Sequence, residues 1–142
     1  MAVILGQKPV QDTKEYEDYA IGITLPINIS NTAFAQSFTT LEQVKTNIKS
    51  LLLTKKYERV MQAELGSGLQ EVLFQFNDDD LASTIENTIV DALAIWLPYV
   101  SVDDIIIEQT DYLKDTNTVN VSIKFRISNS PNLETVTFNV GQ

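Results

Sequence analysis

Between Asp78 and Ile107 helical and extended patterning meet across a single proline, and no other stretch limits the possible folds as strongly. Leu81, Ile85, Ile89, Ala92, Leu93 and Trp96 recur at steps of one, three or four, which gathers them on one apolar face of a helix. Ser83, Thr84, Asn87 and Asp91 fall opposite. Asn77-Asp78-Asp79-Asp80 supplies side-chain oxygens for the free N–H groups at the start, and its carboxylates suit the positive end of the helix dipole. Pro98 lacks an N–H and pushes Leu97 out of helical geometry, so the helix stops there. Tyr99 to Val102 and Ile105 to Ile107 then read as extended chain. Helix and strand must therefore bury their apolar faces in one core, and taken alone the pattern implies nothing more than a packed domain.

Upstream, Thr39-Thr40-Leu41-Glu42 has the spacing of a capping box, and Leu41, Val44, Ile48, Leu51 and Leu52 follow at helical steps, predicting a helix over 40–53. Glu42, Lys45 and Lys49 share its outer face, close enough for weak ion pairing within the helix. Ile21, Ile23 and Leu25 alternate with Gly22 and Thr24, a short strand stopped by Pro26, and Asn28 to Gln36 reads as loop. Thr54 to Leu65 is irregular, and Gly66-Ser67-Gly68 turns into a short amphipathic piece, Leu69 to Phe74. Downstream, Val119, Val121, Ile123, Phe125 and Ile127 alternate without a fault with polar residues, as a strand with one wet face requires. Ile105 to Leu113 precedes it across a turn at 115–118, and a last strand carries Val136, Phe138 and Val140 on one side. The fold class is therefore α+β: two main amphipathic helices on an antiparallel sheet that ends in a three-stranded meander. Residues 1–20 have weak periodicity and several charges and are expected to form an extended arm, with 21–142 as a single domain.

The chain of 142 residues contains no cysteine and no histidine, which removes thiolate and imidazole chemistry, disulfides and the usual zinc sites. A net charge of -9 repels a nucleic-acid backbone, although Lys45, Lys49, Lys55, Lys56 and Arg59 cluster in one segment that suits a solvated helix face or an acidic neighbour. No apolar run approaches the roughly 18 residues of a membrane span, and the first residues lack the basic flank of an export signal. Ser67 lies between glycines, but Leu65 and Leu69 occupy the positions where a nucleophile elbow needs glycine, and the partner histidine is missing. Neither do the two glycines make a dinucleotide or phosphate-loop fingerprint. No cofactor, metal or small-molecule substrate is expected.

From about Phe38 to Ile107 the sequence resembles the baseplate wedge proteins of contractile-tailed phages that act as sheath initiators. The resemblance rests on Asn47-Ile48-Lys49-Ser50-Leu51-Leu52-Leu53-Thr54, Glu58-Arg59-Val60-Met61, Glu64-Leu65-Gly66, Leu73-Phe74 and Trp96-Leu97-Pro98-Tyr99-Val100, in that order and spacing. It departs at two places. The family usually has glycine before the Glu-Arg pair, where this chain has Tyr57, and Glu-Pro-Arg after the tryptophan, where it has Leu97-Pro98-Tyr99. In the family that charged tripeptide is associated with docking on a helical core bundle, so docking here would be less ionic.

The resemblance implies a structural subunit of a virion tail baseplate, assembled in the host cytoplasm, whose partners are other wedge subunits and the tail sheath protein. Glu58, Arg59, Trp96, Leu97, Pro98 and Tyr99 are the implied docking residues, with Glu58-Arg59 as a buried or docking ion pair. Thr135, Thr137 and Asn139 are the outward residues of a last strand whose edge could receive a sheath strand. Two other readings compete. Members of the family have been described as lysozyme-like, and Glu58, Glu64, Glu71 and Asp78 could supply a carboxylate pair, but a glycosidase needs two carboxyls across a cleft and one in an apolar setting. An unrelated α+β protein-binding module would share the edge-strand physics. The expectation is no enzyme, no nucleic acid and no membrane, with Trp96 as a core anchor on the face of Ile85, Ile89 and Leu93.

Overall fold

The computed structural model describes residues 19–25, 35–73, 81–108, 118–128, 130 and 132–141. Residues 1–18 of the expected arm, the capping residues 77–80 and most of the turn at 115–118 lie outside these. The described elements run β1 (Gly22–Ile23), β2 (Gln36–Ser37), α1 (Thr40–Leu53), α2 (Leu69–Leu73), α3 (Leu81–Trp96), β3 (Val100–Glu108), β4 (Val119–Ile127) and β5 (Glu134–Val140). β1 and β2 form a two-stranded antiparallel ribbon, so Gln36 belongs to a strand and not to a loop. The second sheet has the order β3-β4-β5, antiparallel throughout, with β4 in the middle. The α+β meander inferred from the sequence is the observed architecture.

Helix α1 starts where the capping box placed it. The Thr39 hydroxyl accepts the Glu42 amide at 3.2 Å, and the Glu42 carboxylate reaches back to the Phe38 N–H at 3.3 Å, so two backbone donors at the helix start are satisfied. With Glu42 so engaged, Lys45 pairs with Glu134 of β5 at 2.9 Å, a tertiary contact in place of the pairing expected within the helix. A half-buried chain of polar side chains ties the helix to its surroundings. Ser37 Oγ donates to Gln43 Oε1 at 2.6 Å, Gln43 Nε2 to Asn47 Oδ1 at 2.8 Å, and Asn47 Nδ2 to the Tyr99 hydroxyl at 3.4 Å. Gly22 makes room for this chain, since a Cβ there would lie 2.1 Å from Gln43 Oε1.

The core joins Val44, Ile48, Leu51 and Leu52 of α1, Leu69 and Val72 of α2, Ile85, Ile89, Ala92 and Leu93 of α3, and the inward residues of the three-stranded sheet. β4 contributes Val119, Val121, Ile123, Phe125 and Ile127, all buried, so the alternation read from sequence is the alternation of the sheet face. On β3 the pattern breaks between Val102 and Asp104, where Asp103 is an extra residue. The bulge turns two consecutive acids outward, and each finds a cation on β4. Arg126 holds Asp103 through two bonds of 2.6 and 2.8 Å, which raises the guanidinium pKa further, and Lys124 meets Asp104 at 2.9 Å. The bulge, which periodicity did not predict, falls at the adjacent Asp103 and Asp104 inside an apolar run.

Gly66 has φ 132°, and a Cβ on it would sit 2.6 Å from the Thr54 carbonyl oxygen. Gly66→Ala therefore combines an unfavourable backbone conformation with a clash against main chain, and a loss of about 1–3 kcal/mol is expected in urea melts. A melt like that of the parent protein would show that the 54–67 crossing is not held as described.

Candidate docking surfaces

The first surface is the loop between α1 and α2. Thr54 closes α1, its N–H and hydroxyl both donating to the Ser50 carbonyl, while its own carbonyl accepts the Ser67 N–H at 3.0 Å. Ser67 is buried, its hydroxyl donating to the Leu52 carbonyl at 2.7 Å and accepting the Leu69 N–H at 3.4 Å. The hydroxyl thus serves one of the last carbonyls of α1 and the start of α2, a structural role at the turn. Between these ends the chain doubles back, with Tyr57 N–H donating to the Ala63 carbonyl at 2.7 Å. Tyr57 takes φ 67°, in the left-handed region where glycine is at ease and tyrosine is not. That conformation explains why glycine suits this position in the resembling family. Glu58 folds back to accept the Lys55 N–H at 3.1 Å. Glu58 and Arg59 are both exposed, and no ion pair joins them, so the buried-pair reading is corrected. A tight turn directs adjacent side chains into water, whatever their charges.

The second surface follows α3. Leu97 N–H donates to Leu93 O at 2.8 Å, Val100 N–H to Leu97 O at 2.9 Å, and the Tyr99 carbonyl accepts both the N–H and the hydroxyl of Ser128. Trp96, Leu97 and Tyr99 are half-buried against the core and Pro98 is exposed. Trp96 is therefore not fully enclosed as a core anchor. It borders a shallow cleft of about 290 Å³ between the loop, α2 and α3, together with Lys56, Glu64, Glu71, Asp91 and Ile95. Of the six expected docking residues only Trp96 lines this cleft, and Glu58, Arg59, Leu97, Pro98 and Tyr99 lie outside it. Among the carboxylates considered for catalysis, Glu58, Glu64 and Glu71 are exposed, without the apolar setting that a general acid needs, and Asp78 lies outside the described residues.

The third surface is the edge of β5, which among the described residues pairs with β4 alone. Ser128 N–H donates to Tyr99 O, in step with the pairing of Val100 to Ile127. Backbone groups alternate in direction along an antiparallel strand, so even-numbered residues of β4 point theirs to β3 and odd-numbered ones to β5. The register of β5 opposite β4 has no shift. Glu134, Val136, Phe138 and Val140 thus bond to β4, and Thr135, Thr137 and Asn139 direct N–H and C=O outward. Thr135, Thr137 and Asn139 are all exposed and uncharged. β3 offers the opposite edge, but there the bulge breaks the spacing of backbone groups beside two carboxylates.

The family model described as baseplate wedge protein gp25 matches residues 39–132, about two thirds of the chain. This chain belongs to that family. It is a structural protein of a contractile-tail baseplate. No curated protein matches it by sequence. Several solved structures share the fold, three of which follow. A protein of Geobacter sulfurreducens, provisionally named a tail lysozyme, superposes with a TM-score of 0.65 at 19% identity, covering 72% of this chain and 91% of its own. A chain of the anti-feeding prophage baseplate gives 0.61 at 22% identity, over 78% and 86%. A chain of the baseplate complex from the type VI secretion system gives 0.56 at 14% identity, over 71% and 92%. Within the wedge family the matched segment includes the loop and the turn after α3, and ends before β5.

Half-burial sets the expected cost of losing Trp96. Trp96→Ala should destabilise the chain by about 1–3 kcal/mol in guanidinium melts, below the 3–5 kcal/mol of a fully enclosed aromatic. A loss above that range would return Trp96 to the interior.

Proposed function

We propose that this wedge protein initiates sheath polymerisation by lending the β5 edge to a strand of the first tail sheath subunits, while the loop at Glu58-Arg59 and the turn at 96–99 hold it on other wedge subunits. The observation that carries the reading is the contrast between the two sheet edges. β5 is regular, uncharged at Thr135, Thr137 and Asn139, and turns its backbone groups outward, whereas β3 is bulged and acidic. An added strand needs an unbroken row of donors and acceptors, and only β5 offers one among the described residues. The protein needs no chemistry, cofactor, nucleic acid or membrane for this role.

Thr137 and Asn139 share a parity, so proline at either removes an outward donor and leaves the backbone bonds to β4 intact, although Thr137→Pro also removes the hydroxyl contact with Ser122 at 3.1 Å. Thr137→Pro and Asn139→Pro are expected to keep the domain folded by circular dichroism and to abolish sheath growth on baseplates seen by electron microscopy. Normal sheathed tails from both folded variants would place the sheath contact elsewhere.

The alternative reading is a muralytic enzyme, prompted by the name of the Geobacter relative. Exposed Glu58, Glu64 and Glu71 argue against it. Purified protein is expected to leave a peptidoglycan suspension turbid. Clearing that disappears in Glu58→Gln or Glu64→Gln would establish an enzyme.

A further inference from the structure

Cations are unevenly matched across this acidic chain. Among the described residues Lys45, Lys124 and Arg126 are each held by a carboxylate. Lys49, Lys55, Lys56 and Arg59 have no ion pair with a described residue, and all four lie on the later part of α1 or the loop that follows. Within the same loop Val60 and Met61 are each 97% exposed and Tyr57 is 74% exposed. Single exposed apolar residues are ordinary, but three within five positions of a short turn are not.

Nor is the turn slack. Tyr57 N–H to Ala63 O, Gln62 N–H to Arg59 O, Leu65 N–H to Gln62 O and the Glu58 carboxylate brace it from inside. Its base is pinned where Lys55 bridges to Ser67. Tyr57 is held at φ 67°, a conformation unfavourable for a tyrosine, and a ring 74% exposed recovers little of that by packing within the chain. Folding of the described chain alone therefore gains little from a tyrosine here or from Val60 and Met61 at the tip. A gain arises once a second surface covers them.

We propose that residues 55–63 are a preformed plug that inserts Val60 and Met61 into an apolar pocket rimmed by carboxylates on a different baseplate subunit. The tip calls for an apolar pocket, and the unpaired Lys55, Lys56 and Arg59 around it call for acidic residues at its rim. This rests on the proposed place in the wedge and names the contact and the partner's chemistry. It also shifts weight from Glu58, whose carboxylate is engaged inside the loop, to the apolar tip. A pre-ordered turn loses little conformational entropy on docking, so two side chains at its tip can act as anchors.

Because the chain has no cysteine, Met61→Cys gives a single reporter. Free protein should react fully with a fluorescent maleimide, while assembled baseplates carrying Met61→Cys should be protected at least roughly tenfold, as binding that buries an anchor requires. Denatured baseplates define complete labelling. Val60→Ser combined with Met61→Ser should melt like the parent yet enter baseplates about tenfold less well in competition with it. Lys55→Glu, Lys56→Glu and Arg59→Glu together should lower incorporation at low salt, with a smaller deficit at high salt. Equal labelling of Met61→Cys in free protein and baseplates, or normal incorporation of the double serine variant, would overturn the plug while leaving the wedge assignment intact. Failure of the parent protein itself to enter baseplates would remove both. A concentration-dependent dimer of the free chain, lost in the double serine variant, would overturn the proposal by making a second copy the occupant.

Discussion

The structure depends on one buried face, the five inward side chains of β4. Each fully buried aliphatic or aromatic residue there contributes about 1.5–3 kcal/mol relative to water, an upper estimate because an unfolded chain already hides some of its surface. β4 is central in its sheet, so the same face sets the register of both neighbours. A slip of one residue would move Val119, Val121, Ile123, Phe125 and Ile127 into water together. The helices complete the enclosure, with α3 running directly into β3 and α1 reaching β5 through Lys45 and Glu134. Fixing β4 in this way fixes which backbone groups of β5 point outward.

Two edges of one sheet are treated differently, and the cause is local. On β3 one inserted residue interrupts the ladder and leaves adjacent carboxylates that Arg126 and Lys124 neutralise. On β5 nothing interrupts the ladder, and its outward residues are small and polar. Exposed edges usually invite unwanted pairing, and bulges and charge are common defences. Among the described residues the sheet is therefore defended on one edge and open on the other.

The loop after α1 shows a second asymmetry, between stability and use. Ser67 and Gly66 build its base from buried hydrogen bonds and close backbone approach, whereas Tyr57, Val60 and Met61 at its far end stand largely in water. The cleft beside it gathers Trp96 and Ile95 with Glu64, Glu71 and Asp91, so apolar and charged groups meet on this side of the molecule. Loops carried on a rigid scaffold are where recognition usually resides.

The sequence alone determined the helix over 40–53, a second helix entered at Asn77–Asp80 and stopped by Pro98, the fault-free strand β4, the meander and the family resemblance, because each shows in local periodicity, capping or short motifs that need no knowledge of distant contacts. The bulge at Asp103 was not among those expectations and comes from the strand register. Only the tertiary structure decided that Lys45 pairs with Glu134, that Ser67 is spent on the Leu52 carbonyl, that Trp96 borders a cleft, and that Glu58 and Arg59 stand in water. Direction of the β5 amides likewise needed the register, since strand alternation tells which residues share a side but not which side faces a neighbour. Tyr57 is the plainest case. Its residue type gives no hint of a positive φ, and the turn closed by the Ala63 carbonyl imposes it.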